Sequence, residues 1–326
     1  MVDVLGGRMK KTIVLLFTVI LLAGCSSARL FNPYPDVYPM EFSELSYPYK
    51  VHNVTTDAGI QLAYMDEGSG DKTILFIHGL GSYAKAWQKN IAALKENFRC
   101  IAVDLPGYGK SDKGDYAYSM TFYGEQIKSM IAKLNLQNVY LAGHSMGGQI
   151  AMVTGLRYPD LIKGLILINP AGFEEFSEGE KEWFREVMTV DLVKLTPVQT
   201  IRANVVTNFY EMPEDAEFMI TDRIALRGAK DFEWYCYAVT KSVAGMVDQP
   251  VIHKLGKIRQ PTLIIFGEND NLIPNPFLHG GTTLSIAQIG ADKIPDNQLL
   301  MLAECGHFSQ FERPVEVNNA IIDFVK

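Results

Sequence analysis

No block of positive charge is present: Lys and Arg number 30 against 37 Asp and Glu, leaving a formal net charge of −7. A phosphate backbone attracts positive charge, so nucleic acid is a poor partner for this chain. Cysteines number 4 and histidines 6, and the scattered imidazoles have no matching cysteine spacing that would make a metal site. Long apolar runs are scarce too. The run from Ile13 to Ala23, broken by Thr18, has eleven residues, whereas crossing a bilayer takes about 20. A polytopic membrane protein is therefore excluded. Internal repeats and low-complexity stretches are missing. What remains is 48% hydrophobic and 11% aromatic residues over 326 positions. That suits one large core with an insertion, or two modest domains, and excludes a disordered or collagen-like chain.

Arg8, Lys10 and Lys11 precede the apolar run, and a short apolar stretch behind a basic end reads as a secretory signal. It closes in Leu22-Ala23-Gly24-Cys25-Ser26-Ser27, which resembles the bacterial lipobox. The resemblance implies that residues 1–24 are removed and that Cys25 is lipidated and becomes the N-terminus, with Met9 as the true start. Acyl chains on Cys25 would supply more than the two anchoring signals that stable attachment needs. The expected product is an exported lipoprotein, tethered to a membrane without spanning it. Ser26 in place of Asp resembles lipoproteins sent on to the outer membrane. An ordinary signal peptide with an unmodified cysteine is the alternative. With Cys25 modified, Cys100, Cys236 and Cys305 remain, and three thiols define no disulfide framework. Residues 25–50 hold Pro33, Pro35, Pro39 and Pro48 with little periodicity and read as a tether.

Beyond the tether, two strand-like runs, 51–56 and 60–66, flank a turn at Asp57-Ala58-Gly59. Short apolar runs follow at 73–77, 100–103, 139–142, 165–168, 262–266 and 299–302, of the kind buried in parallel sheets. Helical patterns lie between them at about 84–96, 123–134, 146–157 and 315–325. Alternation of this sort predicts an α/β fold with a mostly parallel, doubly wound sheet. The stretch 172–247 breaks the pattern: it shows helical periodicity at 180–190, 198–210, 214–226 and 232–246 without a clear buried strand. It is far longer than a crossover needs. The expectation is a core of 51–171 and 248–326 with a helical cap, 172–247, inserted between two strands.

Val139 to His144 runs as a strand into Gly143-His144-Ser145-Met146-Gly147, a Gly-x-Ser-x-Gly turn, and then into a helix. A sharp turn of this kind lifts a serine hydroxyl above the sheet edge, and small residues on either side let strand and helix close tightly. The helix N-terminus adds partial positive charge where negative charge would develop. Ser145 is thus the candidate nucleophile.

With four further pieces, the chain resembles the α/β-hydrolase superfamily, in its capped serine esterase/lipase-like branch. His78-Gly79-Leu80-Gly81 ends a strand where that family builds its oxyanion loop. Asp104 to Ser111 matches the turn after the next strand, and Gly267 to Pro274 the acid loop. Gly306-His307-Phe308 matches the histidine loop. The resemblance implies an α/β-hydrolase fold and a Ser145–Asp270–His307 triad. Backbone N–H groups of Leu80 and Met146 would serve as the oxyanion hole. His307 would take the serine proton and return it to the leaving group, and Asp270 would orient the imidazole. The rate should then fall as His307 protonates on the acidic side of neutrality. No metal or organic cofactor is implied. The substrate expected is a small acyl ester; oligomeric state is not legible.

Competing residues carry less. Glu268 could replace Asp270 but sits nearer the strand end. Asn169 stands where some relatives place their acid, and an amide cannot serve as one. Cys305 and His279 lie near the same loops; His78, His144 and Asp104 read as structural, and His52 and His253 have no motif context. Asn169-Pro170-Ala171-Gly172-Phe173 resembles lipases of the Moraxella/Psychrobacter type, which supports carboxylic esters as substrates. Carbon–carbon bond hydrolase, iminopeptidase and acyltransferase chemistry stay open, as does a binding lipoprotein without catalysis. Trp183, Phe184, Phe209, Tyr210, Phe218, Trp234, Tyr235 and Tyr237 are available in the cap as acyl contacts. The stretch 278–296 is longer and more Gly-rich than one crossover helix requires, which leaves the Asp270-to-His307 geometry open.

Overall fold

In the chain order of a computed structural model, which describes residues 33–326, eight strands are interleaved with helices. The expected signal peptide and the lipidation site Cys25 lie outside the described residues. Among the described residues no helix is long and apolar enough to cross a membrane.

The strands are β1 (Val51–Thr55), β2 (Gln61–Glu67), β3 (Thr73–Ile77), β4 (Arg99–Val103), β5 (Val139–His144), β6 (Ile162–Ile168), β7 (Thr262–Gly267) and β8 (Asn297–Leu302). They form one sheet in the order β1-β2-β4-β3-β5-β6-β7-β8. β1 and β2 pair antiparallel, as do β2 and β4, and every other pair is parallel. The central strands are buried on both faces: all five residues of β3 and all six of β7. That is why they appear in the sequence as continuous apolar runs rather than as alternation. Successive side chains nonetheless point to opposite faces. Leu75, Ile77, Leu141 and Leu167 belong to one core, and Ile74, Phe76, Ala142 and Ile166 to the other.

Helices cover both faces. α1 (Gln88–Leu94) places Ile91 and Leu94 in the second core, while α2 (Met120–Lys133) and α3 (Met146–Arg157) place Ile127 and Ile150 in the first. Between β6 and β7 run five helices: α4 (Glu178–Val187), α5 (Val190–Leu195), α6 (Val198–Val206), α7 (Phe218–Ala225) and α8 (Phe232–Asp248). The sequence pattern suggested four, with 180–190 as one unit. The chain instead breaks at Met188, and the Thr189 hydroxyl caps a new helix by accepting from the Leu192 N–H. After β7 come α9 (Thr283–Lys293), α10 (Ser309–Glu312) and α11 (Pro314–Val325). The Gly-rich stretch before β8 is thus a loop and one capped helix. Its Gly290 has a packing reason: a Cβ there would come within 2.3 Å of the Phe173 ring.

The tether expected over 25–50 is corrected in its second half. Phe42 and Leu45 are 5% and 2% exposed, and the Met40 N–H donates to the Ala225 carbonyl. The Tyr47 hydroxyl donates to the Asp104 carboxylate. This segment joins the core through isolated side chains rather than a periodic face, so periodicity could not reveal it.

Candidate active site

Ser145 joins the end of β5 to the start of α3 with φ 54° and ψ −120°. A non-glycine residue in that region stores about 1–3 kcal/mol, held by the surrounding structure. Here the hold is explicit. The Ser145 N–H donates to the Ile168 carbonyl at 3.0 Å, and the Ser145 carbonyl accepts from Gly148 at 2.9 Å and Ala171 at 3.1 Å. The flanking glycines are required by space. A Cβ on Gly147 would stand 2.1 Å from the Ile77 carbonyl oxygen, and one on Gly143 would stand 2.2 Å from the Gly147 oxygen.

His307 lies in the loop after β8, its N–H tied to the Asn208 carbonyl at 2.7 Å. Its Nδ1–H donates to Asp270 Oδ2 at 2.7 Å, with both side chains buried. A carboxylate only accepts, so the proton sits on Nδ1 and the Nε2 lone pair is left available. Asp270 Oδ1 accepts from the N–H groups of Leu272 (2.8 Å) and Ile273 (3.1 Å). Its Oδ2 also accepts from Asn169 Nδ2 at 2.8 Å, and the Ser309 hydroxyl donates to Asn169 Oδ1 at 2.6 Å. Ser145 and His307 line one cavity.

The rival residues are placed elsewhere. Glu268 is exposed. His279 is bound to Glu174 at 2.7 Å and stacks on Phe176. Cys305 is buried, burial pushes its thiol up to about 12, and it contacts Ser309 rather than the cavity. Among the described residues no group of three or more His, Cys, Asp or Glu side chains is placed to hold a metal ion.

Around Leu80 the loop is pinned from two sides. The Leu105 N–H donates to His78 Nε2 at 3.0 Å, which fixes the ring proton on Nδ1, and that Nδ1–H donates to the Gly79 carbonyl at 2.8 Å. Asp104, fully buried, accepts from the Ala84 N–H on Oδ1 and the Lys110 N–H on Oδ2, both at 2.8 Å. Burial pushes the Asp104 carboxyl above its ordinary value. Neither the Leu80 N–H nor the Met146 N–H has an acceptor among the described residues, so both are available to an oxyanion. His144 Nε2–H donates to the His307 carbonyl at 2.9 Å, and its ring packs on His307 and Phe308.

Burial drives the His78 imidazole down to about 4, and His144 well below its ordinary value. His78 titrates near 6.5 when unfolded, so on acidification the unfolded chain binds the proton first. Its stabilising contribution is whole above about pH 6.5 and is lost as pH falls toward 4, about 3 kcal/mol in all and about 2 kcal/mol between pH 7 and 5. Thermal midpoints over that range should therefore drop less steeply in His78→Gln protein than in wild type. Equal slopes would show that His78 is not the group responsible.

The cavity above Ser145 has a volume of about 610 Å³. Of the aromatics offered by the sequence, Phe184, Phe218 and Tyr235 line it, and Trp183, Phe209, Tyr210, Trp234 and Tyr237 do not. Phe42 and Leu45 line it as well, residues the sequence reading had assigned to the tether. Among the described residues only three charged side chains other than histidine reach the cavity: Glu174, Asp222 and Arg223. Glu174 is held by His279, and Asp222 accepts from the Tyr83 hydroxyl with Lys85 at 3.9 Å. Arg223 makes no ion pair among the described residues.

Known proteins share the sequence pattern and the fold. The α/β hydrolase fold family matches residues 72–314. A Pseudomonas putida protein named 2-hydroxy-6-oxononadienedioate/2-hydroxy-6-oxononatrienedioate hydrolase 1 is 27% identical over 279 residues, 82% of this chain and 93% of that protein. Among solved structures, a probable hydrolytic enzyme from Pseudomonas aeruginosa superposes with a TM-score of 0.78 at 25% identity. That match covers 89% of this chain and 99% of that one. A thermophilic esterase from Thermogutta terrifontis superposes with a TM-score of 0.67 at 25% identity, over 85% and 98% of the two chains.

Proposed function

The chain belongs to the α/β hydrolase fold family and has its serine-hydrolase type of chemistry, and from that premise we propose that it cleaves carboxylic esters through an acyl-enzyme. Ser145 Oγ attacks the ester carbonyl while His307 Nε2 removes its proton. The N–H groups of Leu80 and Met146 stabilise the resulting oxyanion. The imidazolium, oriented by Asp270, then protonates the departing alkoxide as the carbonyl re-forms. Water, deprotonated by the same Nε2, attacks the acyl-enzyme, and proton return to Oγ releases the acid and restores the serine. The observation that carries this reading is the His307 Nδ1–Asp270 hydrogen bond of 2.7 Å, which leaves Nε2 basic in the cavity that also receives Ser145. Esters are favoured because the cavity is lined mainly by apolar side chains and both of its carboxylates are engaged by protein partners.

Arg223 favours a second reading. A guanidinium without a carboxylate partner suits a substrate that carries its own anion, and the P. putida relative is named for a dioate. Purified protein should be given p-nitrophenyl esters from acetyl to palmitoyl beside a 2-hydroxy-6-oxo dienedioate. Ester hydrolysis with the higher kcat/KM, unchanged in Arg223→Ala, supports the ester reading. Preferential turnover of the dioate, weakened about 10- to 100-fold in Arg223→Ala, replaces it with carbon–carbon bond hydrolysis.

A further inference from the structure

Asn169 lies just past the end of β6 with φ 43°, a left-handed conformation that asparagine tolerates better than most residues. Its N–H donates to the Ile265 carbonyl at 2.8 Å, so strand β7 holds the backbone that carries the side chain. The amide is completely buried. Its two ends have different partners: Nδ2–H donates to Asp270 Oδ2 at 2.8 Å, while Oδ1 accepts from the Ser309 hydroxyl at 2.6 Å. Ser309 is buried too, and its Oγ receives the Cys305 thiol at 3.3 Å. These bonds run in one direction, from Cys305 through Ser309 and Asn169 to Asp270. The last acceptor in the chain, Oδ2, is the atom that receives His307 Nδ1–H.

From this arrangement we infer that Asn169 is a positioning residue for the Asp270–His307 pair, with Ser309 bonded to the end of its amide that faces away from the carboxylate. The inference rests on the triad reading given above. An asparagine side chain can be turned end for end, and the turned amide would present its oxygen to Oδ2, placing two acceptors against each other. The acceptor-only carboxylate therefore selects the orientation seen, and the Ser309 hydroxyl, whose Oγ also lies 3.1 Å from the Gly306 carbonyl oxygen, satisfies Oδ1 in it. With Asn169 Nδ2–H on Oδ2 and the Leu272 and Ile273 N–H groups on Oδ1, the carboxylate plane is held against rotation. The line from Oδ2 to Nδ1 is therefore fixed, and with it the direction of Nε2. Misalignment of a proton-transfer pair costs rate in the reacting state more than it costs substrate binding.

The test is a double-mutant cycle on ester hydrolysis. Asn169→Ala should lower kcat about 10- to 100-fold, with KM changed less than about twofold. In an Asp270→Asn background the same substitution should lower kcat by less than about twofold, because the carboxylate it positions is gone. An unchanged kcat in the first case, or an equal fall in both backgrounds, overturns the inference. If Asn169→Ala protein does not fold, Ser309→Ala takes its place in the cycle, with an expected fall of about 3- to 10-fold that disappears in Asp270→Asn. Ser145→Ala is measured alongside: activity surviving there sinks the triad itself, whereas a dead Ser145→Ala with a fully active Asn169→Ala sinks only the positioning role.

Discussion

Ser145→Ala protein is expected to hydrolyse esters about 10⁶-fold more slowly than wild type, with a KM close to unchanged. The substitution removes the atom that forms the acyl bond in the proposed mechanism, and little else. The turn stays pinned by backbone hydrogen bonds to Ile168, Gly148 and Ala171, none of which uses the serine hydroxyl. The cavity wall loses a single oxygen. What is expected to survive is the contribution proposed for the Leu80 and Met146 N–H groups, since an oxyanion hole leaves a residual acceleration over water. Turnover measured with a good leaving group, together with covalent labelling by a fluorophosphonate, checks this. Wild type should label and Ser145→Ala should not. A Ser145→Ala protein within tenfold of wild type would require another nucleophile. Cys305, buried and with its thiol pushed up to about 12, is poorly suited to that role.

Asp270→Asn has the next largest expected effect, a loss of about 10⁴ in kcat near neutral pH. Four donors converge on this carboxylate: His307 Nδ1, Asn169 Nδ2 and the N–H groups of Leu272 and Ile273. An asparagine side chain has one oxygen to offer them and an NH₂ that must face at least one donor. Facing the two backbone groups, the NH₂ would leave buried donors unpaired. Facing His307, it demands the tautomer with the proton on Nε2, which cannot accept from Ser145. In either orientation the site loses alignment or basicity. Rates across a pH series, with fluorophosphonate labelling as an independent measure of Ser145 reactivity, test this directly. A loss smaller than tenfold would remove Asp270 from the mechanism and return Glu268 to consideration.

The candidate site was legible in proportion to how local its causes are. The turn around Ser145 is written in five consecutive residues, because the constraint is steric and the glycines are demanded by atoms four residues along the same turn or on the adjoining strand β3. The apolar runs gave β3, β5, β6 and β7 for the same kind of reason: burial on both faces leaves no polar positions. Legibility failed where the cause is distant. Asn169 was set aside because an amide cannot act as the acid; its role comes from a hydrogen bond to a residue 101 positions away. Phe42 and Leu45 were hidden in a Pro-rich stretch with no periodicity, and only packing against the helices between β6 and β7 brings them to the cavity.

Sequence alone determined the α/β fold and the Gly-x-Ser-x-Gly turn that carries Ser145, because backbone sterics and the spacing of apolar residues act over a few positions; Asp270 and His307 were candidates only through the resemblance to the α/β-hydrolase superfamily. Tertiary structure alone decided the rest. It put Asp270 rather than Glu268 against His307, made Asn169 and Ser309 partners of that pair, and placed Arg223, without an ion pair among the described residues, in a cavity lined mainly by apolar side chains. Those outcomes depend on which strand ends and loops meet in space, and hydrogen bonds between them leave no periodic trace along the chain.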